Sequence, residues 1–544
     1  MLKWNSFLYA GIGLVFMILW AVLFRETTVD IALSFCFFVL VPLLLGEILQ
    51  EESANPAEQY LRWAAPFCLP AAGAGTLSLT LAPGMEGGLW AGVWCIFTLM
   101  IAFGGLMRLL GKGIRPIEES VLDVAMIYLA VGGGWLVLAQ SPALEWLPYT
   151  PIIVQLTAIH FHYAAFLLPI LTGVFGRWRA GRVSRFSRTG NQSYTVLSIG
   201  ILLGPFLVAV GLNQGPPTEV ITVGIYLVFI LWLCGWWLYS VKSMEGWARW
   251  GIALAAALLL VTIGLSFIYS LGLATGGLWL LIPDMIKWHG AVNAFGFSLI
   301  AVLSWIFLRV PKRYDYTSFP VIPYSEESSG KSAAGLIKNW SSYRNKQFDP
   351  GKLDPLVHDF HIHTDEFTMD AEIQWKKGFH RFSKLSYRMT NKWKQINIPP
   401  DGRIEMSGEI TYSKEAPGIN DSRAWVRRNK QTGERIFTAL YGHHEKDDEV
   451  YMNIRLPFPA GMLIGVLRVL HDHYGGLILT STLRPSAKGD EGIYFSLGKW
   501  VIRTPLQETF QLRENHESNR LIAIHDITLF GIPMLTITYR LHRK

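Results

Sequence analysis

Cysteine is scarce in this chain of 544 residues and confined to one part of it: Cys36, Cys68, Cys95 and Cys234 all lie in apolar segments before residue 308. The remainder has none, which excludes a disulfide framework or a cysteine-based zinc site there and suits a reducing compartment. Charge is also sparse. Lys, Arg, Asp and Glu make up 16% of the chain, well below the ~25% of ordinary soluble domains, so a single water-soluble globule is excluded. Residues 1–308 carry 14 basic and 14 acidic side chains and residues 309–544 the other 34 and 27, so the formal net charge of +7 belongs to the second part. Familiar catalytic signatures are missing too. There is no Gly-rich phosphate loop, dinucleotide fingerprint, Gly-x-Ser-x-Gly elbow or zinc-protease helix.

What is present is a series of long apolar runs. A bilayer core about 30 Å thick takes roughly 20 apolar residues per helix. Ten segments meet that need: Trp4 to Phe24, Ile31 to Leu49, Ala64 to Leu81, Leu89 to Met107, Val121 to Ala139, Ile152 to Phe175, Tyr194 to Leu212, Val220 to Val241, Gly251 to Leu273 and Trp288 to Leu308. The expected fold is an all-α transmembrane bundle of about ten spans over residues 1–308, a linker over 309–335 and a soluble β-rich (α+β) domain over 336–544. Basic loops stay on the cytoplasmic side. Lys3, Arg62, Arg108 to Arg115, Arg177 to Arg188, Lys242 to Arg249 and Arg309 to Arg313 alternate with loops whose only basic residues are Arg25 and, next to the tenth span, Lys287. The alternation predicts a multi-pass protein of the cell membrane with both termini in the cytoplasm.

Polar residues inside a span are the first functional pointers in such a protein, because lipid offers them no hydrogen bonds. The sixth span contains Gln155, Thr157, His160, His162 and Tyr163, and the tenth, with the residues that follow Pro283, reads Asp284, Lys287, His289 and Asn293. His160, His162, His289 and Asn293 form the candidate intramembrane cluster. His160 and His162, two apart, differ by about 200° around a helix, so they face one ion only if the helix unwinds. Three roles stay open: interhelix hydrogen bonds, a substrate or proton site, or a metal or haem site. His160 and His289 also precede Ala165-Phe166 and Ala294-Phe295 at the same spacing, as in a parallel repeat.

The runs Thr157-Ala158-Ile159-His160-Phe161-His162-Tyr163-Ala164 and Trp288-His289-Gly290-Ala291-Val292-Asn293-Ala294-Phe295-Gly296-Phe297 resemble the YndJ-like family of bacillar membrane proteins. The resemblance implies a multi-pass plasma-membrane protein of a Gram-positive bacterium. It carries over the three histidines and Asn293 as recognisable polar positions and attaches no chemistry to them.

In the tail, alternation predicts strands over Phe367 to Trp375, Lys384 to Trp393, Arg403 to Tyr412, Val450 to Leu456, Gly476 to Leu483, Gly492 to Arg503, Thr509 to Arg513, Leu521 to Leu529 and Met534 to Leu541. Ala460 to Asp472 has helical spacing. An antiparallel sheet curled on that helix or on itself is expected. Asp359-Phe360-His361-Ile362-His363-Thr364-Asp365 would aim two histidines to one face of a strand, as in metallohydrolases, but the element order does not supply their barrel. No metal or catalytic residue is assigned. The expected partners are the bilayer, anionic inner-leaflet lipids held by the basic surplus, and a small apolar ligand; nucleic acid is not expected. The leading reading is a non-enzymatic membrane protein whose cytoplasmic domain binds or senses an apolar or lipid-like molecule. A transporter using the intramembrane histidines and a membrane metal, haem or redox protein are the alternatives.

Overall fold

The computed structural model describes residues 5–24, 26–49, 55–182, 188–277, 279–312, 328–393, 395–413, 419–472, 474–483, 489–497, 500–515 and 520–544. Lys3, Arg25, Arg185, Arg313, Lys394, His473 and most of the expected linker lie outside them. The chain divides into two compact units, Met1–Leu109 with Ile114–Tyr314 and Asp315–Lys544 with Leu110–Gly113.

The first unit is helical: α1 (Ser6–Phe24), α2 (Thr28–Phe35), α3 (Val41–Ile48), α4 (Pro56–Ala64), α5 (Cys68–Thr80), α6 (Met85–Lys112), α7 (Ile117–Gln140), α8 (Pro151–His162), α9 (Leu168–Ala180), α10 (Arg188–Gln214), α11 (Pro216–Ser240), α12 (Ala248–Thr275), α13 (Ile282–Asp284) and α14 (Ser298–Phe307). Pi-helical stretches join α2 to α3, α8 to α9 and α13 to α14 into continuous rods. Among the described residues nine stretches are long and apolar enough to cross a membrane. The third expected span, Ala64 to Leu81, is not one unbroken helix. A 3-10 turn at Ala65–Phe67 separates α4 from α5, where Pro66 removes a backbone donor, and the 13 residues of α5 span only about 20 Å.

Charged side chains draw several helix ends together. Arg108 is fully buried, with Nε donating to Asp123 Oδ1 at 2.7 Å, Nη2 to Glu119 Oε2 at 2.7 Å, and Nη1 to Glu58 Oε1. Arg177 Nε donates to Glu119 Oε1 at 2.6 Å and its Nη1 to the Glu47 carbonyl at 2.8 Å. Lys312 Nζ donates to the Leu49 carbonyl at 2.8 Å. Thus the ends of α3, α6, α9 and α14 meet the starts of α4 and α7. At the other end of α7, the Gly84 amide donates to the Gln140 carbonyl at 3.0 Å.

The second unit contains β1 (Ser328–Ser332), α15 (Pro355–Ile362), β2 (Phe367–Trp375), α16 (His380–Trp393), β3 (Gly402–Ser413), β4 (Asn420–Asn429), β5 (Arg435–Lys446), β6 (Glu449–Phe458), β7 (Gly461–His471), β8 (Leu477–Thr480), β9 (Gly492–Leu497), β10 (Trp500–Arg503), β11 (Leu506–Asn515), β12 (Arg520–Leu529) and β13 (Ile532–Arg543). Neighbours β2 through β8 pair in sequence order, β8 pairs β11, and β11, β12 and β13 lead back to β2, every pair antiparallel. The result is a closed ten-stranded barrel. β7 makes closure possible by dividing its length, with Met462 to Val466 on β9 and Arg468 to His471 on β8.

Two segments differ in type from expectation. Ala460 to Asp472 is a strand: Met462, Ile464 and Val466 pack on Tyr451 and Tyr494, while Leu467 and Val469 face the main core. A strand buried on both faces reads as an apolar run without clear alternation. Lys384 to Trp393 is helical, within α16. The sheet therefore does not wrap the predicted helix. It encloses the stretch before β2, where Leu336, Trp340, Tyr343, Phe348, Val357 and Phe360 fill the lumen. Arg423 Nη1 ties this plug to the wall through the Gly335 carbonyl at 2.6 Å. A Cβ on Gly335 would meet the Ile362 carbonyl oxygen at 2.1 Å, so the plug turns back on itself only with glycine there.

His361 belongs to the plug. It is 3% exposed, its Nδ1–H donates to the Val357 carbonyl at 2.9 Å, and burial pushes its pKa down to about 4. The unfolded chain takes up this proton near pH 6.5 and the folded chain only near 4, so stability is full above 6.5 and falls on acidification, by up to about 3 kcal/mol. Urea titrations followed by the strand circular dichroism signal at pH 7 and 4.5 are expected to show this loss. His361→Gln should blunt it, and an equal loss in the variant would remove His361 as its source.

Candidate functional site

The intramembrane polar residues sit on three rods that pack together, α2–α3, α8–α9 and α13–α14. Asp30 on α2 is buried and accepts from Gln155 Nε2 on α8 at 2.5 Å. Tyr163 donates to the Ala32 carbonyl at 2.7 Å. On the third rod, His289 Nδ1 lies 2.8 Å from the Thr262 carbonyl and 3.0 Å from Ser266 Oγ of α12, and Thr262 Oγ1 donates to Asn293 Oδ1 at 2.7 Å. The His160 and His289 rings stand 6.5 Å apart, centre to centre.

These contacts set the tautomers. His160 Nδ1 is 2.6 Å from the Leu156 carbonyl, and a carbonyl only accepts, so Nδ1 carries the proton and Nε2 keeps a lone pair. His289 follows the same rule through Thr262. Among the described residues no hydrogen bond engages Nε2 of either ring, and both side chains retain exposed surface. Two basic nitrogens therefore stand near each other, able to take up a proton or hold a polar solute.

His162 does not join them. Its Nε2 accepts from Trp94 Nε1 of α6 at 3.0 Å, its Nδ1–H donates to the Ala158 carbonyl at 2.8 Å, and it is wholly buried. A Cβ on Gly132 of α7 would come within 2.8 Å of this ring, which gives one of the sequence's three consecutive glycines a definite role. The four expected residues thus separate into a group of His160, His289 and Asn293 and a structural His162. Thr262 and Ser266 were not singled out from sequence, since isolated hydroxyls in an apolar helix give no periodic signal, nor was Asp30, which stands one residue before the second apolar run.

The backbone is unusual here. Residues Cys36–Leu40, Tyr163–Leu167, Met285–Gly290 and Val292–Phe297 are π-helical. Such widened turns are rare and concentrate at functional sites. Two of them start three residues after a histidine, Tyr163 after His160 and Val292 after His289, and they contain the Ala-Phe pairs of the sequence echo.

The tail histidines occupy other places. His361 is in the plug, and His363 lies 4.0 Å from Asp359 on α15 rather than on a strand. His443 packs on Tyr343, its neighbour His444 contacts Asn453 and Asp490, and His471 accepts from the Asp349 amide at 2.9 Å. Among the described residues no three His, Cys, Asp or Glu side chains converge as metal ligands.

If His162 is structural, Trp94→Phe, which removes its donor and little volume, should lower the thermal stability of the purified protein by about 1 kcal/mol. Melting followed by size-exclusion recovery would check this. An unchanged melting temperature would remove the bond from the stability argument.

The family model described as YndJ-like protein matches residues 31–297. Over 526 residues the chain is 33% identical to the "Uncharacterized membrane protein YndJ" of Bacillus subtilis (strain 168), covering 94% of this chain and 92% of that protein. No solved structure matches. The matched region contains His160, His162, His289 and Asn293, and the alignment extends through the barrel, so the chain is a multi-pass membrane protein that belongs to the YndJ-like family.

Proposed function

We propose that this protein moves protons, or a small polar solute with them, across the cell membrane at the site formed by His160 and His289. The observation that carries the reading is the pairing of two imidazoles with available Nε2 atoms inside a region where all three surrounding rods are π-helical. Asp30 and Gln155 extend the polar path along α2 and α8. In proteoliposomes carrying an internal pH dye, an imposed gradient should dissipate through the intact protein and be retained with His160→Ala or His289→Gln. Trp94→Phe should conduct normally. Gradients that decay equally with and without the histidines would refute the proposal.

The accompanying topology is ten crossings with both termini in the cytoplasm. Besides the alternation of basic loops, it is supported by the α4–α5 segment: Glu58 joins the Arg108 cluster, whereas Gly84 meets Gln140 at the far end of α7. That segment counts as a crossing although it is interrupted. Reporters fused after Leu308 and within residues 213–219 are expected to give cytoplasmic and external signals; an external signal after Leu308 would leave nine crossings.

For the barrel, a non-enzymatic binding or sensing role is the second reading, favoured by a cavity of about 60 Å³ between plug and wall. One water needs about 10–15 Å³, so the apolar or lipid-like ligand expected from sequence narrows to a molecule of a few heavy atoms. Arg427 gives this space a polar end. It is buried, stacks 3.8 Å from the Trp425 ring and 4.1 Å from Phe437, and donates to Tyr441 at 3.1 Å, while its Nε–H meets no acceptor among the described residues.

A further inference from the structure

Helix α16 is amphipathic with its faces reversed. It turns Ser383 and Thr390, 1% and 7% exposed, toward the domain and leaves Phe382, Leu385 and Met389 exposed at 50, 57 and 46%. At 100° per residue those three apolar side chains fall within an arc of about 60°. Arg381, Lys384, Arg388 and Lys392, all exposed, fill a neighbouring arc of about 80°. A helix that served only to cover the barrel would bury its Phe, Leu and Met. Carboxylates are few beside the basic stripe: residues 376–394 hold seven Lys and Arg, no Asp or Glu occurs between Glu372 and Asp401, and Asp401 meets the helix only at His380, 3.4 Å away, among the described residues.

A second element at the same end of the barrel has the same character. The β12–β13 hairpin turns through Phe530 and Gly531, with φ of 53° and 80°. Such a two-residue turn favours Asn-Gly, and a bulky residue with positive φ is strained. Phe530 nevertheless occupies it and is 62% exposed, with Ile532 at 59%. The hairpin is held beside the start of α16: Leu535 pairs with Trp375, the Lys376 amide donates to the Met534 carbonyl at 3.0 Å, and the Trp375 and Phe382 rings are 6.1 Å apart.

We propose that this end of the barrel docks on the anionic cytoplasmic leaflet, with Phe382, Leu385, Met389 and Phe530 entering the acyl boundary and the α16 basic stripe meeting acidic headgroups. An apolar face flanked by Lys and Arg is the composition of an interfacial helix, and negative surface potential attracts basic segments close to the membrane. The charge excludes a basic partner, and the pairing of helix with hairpin tip matches a surface that is apolar beneath and acidic above. The inference rests on the cytoplasmic placement proposed above and goes beyond it by naming the contacting residues.

The test uses the full chain in lipid nanodiscs, with Cys95→Ser and a nitroxide on Leu385→Cys. In discs of equal phosphatidylcholine and phosphatidylglycerol, the label should become accessible to oxygen and shielded from a water-soluble nickel chelate. The shielding should be lost in phosphatidylcholine alone, in high salt, and when Arg381, Lys384, Arg388 and Lys392 are changed to Gln. A label on Tyr474→Cys, at the opposite end of the barrel and 80% exposed, should stay accessible to nickel throughout. Nickel access at Leu385→Cys in every disc would overturn the proposal. So would shielding that persists in phosphatidylcholine alone or in high salt, since a surface other than acidic lipid would then cover the helix. The reporter after Leu308 reads the topology separately, so a failed docking and a failed cytoplasmic placement are distinguishable.

Discussion

Arg108 organises the membrane unit because it has no water to fall back on. A buried guanidinium is tolerable only with its donors occupied by acceptors of opposite charge, and these come from two other helices, Glu58 from α4 and Glu119 and Asp123 from α7. Glu119 is shared with Arg177, which reaches the end of α3 through a carbonyl. Removing either arginine would strand carboxylates in a site without solvent. One end of the bundle is thereby fixed by charge, while the opposite half, where the histidines lie, is held by single hydrogen bonds that, apart from those to Asp30, join uncharged hydroxyl, amide and carbonyl groups and imidazoles.

That difference bears on function. Neutral hydrogen bonds between helices in lipid contribute little individually, and the π-helical stretches around His160 and His289 replace regular i to i−4 bonding. The site proposed to take up and release a proton sits where rearrangement costs least, next to the end held by ion pairs. In the barrel the rigid part is the closed wall, whose strands all have partners. The plug fills most of the lumen and leaves a remnant too small for an acyl chain, so any lipid contact belongs to the outside of the domain.

Period alone could not settle two tail segments, and the reasons differ. In β7 both faces are buried, one toward the lumen and one under the Tyr451 and Tyr494 side chains, which erases alternation. In α16 the residues Leu385, Tyr387 and Met389 alternate as in a strand, while Phe382, Leu385 and Met389 also repeat as in a helix. β4 and β5 escaped notice because they carry inward Arg423, Arg427 and His443, polar residues where an apolar face was sought.

The sequence by itself determined a membrane part and a β-rich part, nine of the apolar stretches and the family, because lipid demands long apolar runs and half-buried strands demand alternation. It also marked His160, His289 and Asn293, since polar groups in such runs stand out. Only the tertiary structure separated His162 from them, through Trp94 sixty-eight positions away. Barrel closure, the identity of the plug and the outward turn of the α16 apolar stripe were likewise decided by contacts between distant segments, which no local period encodes.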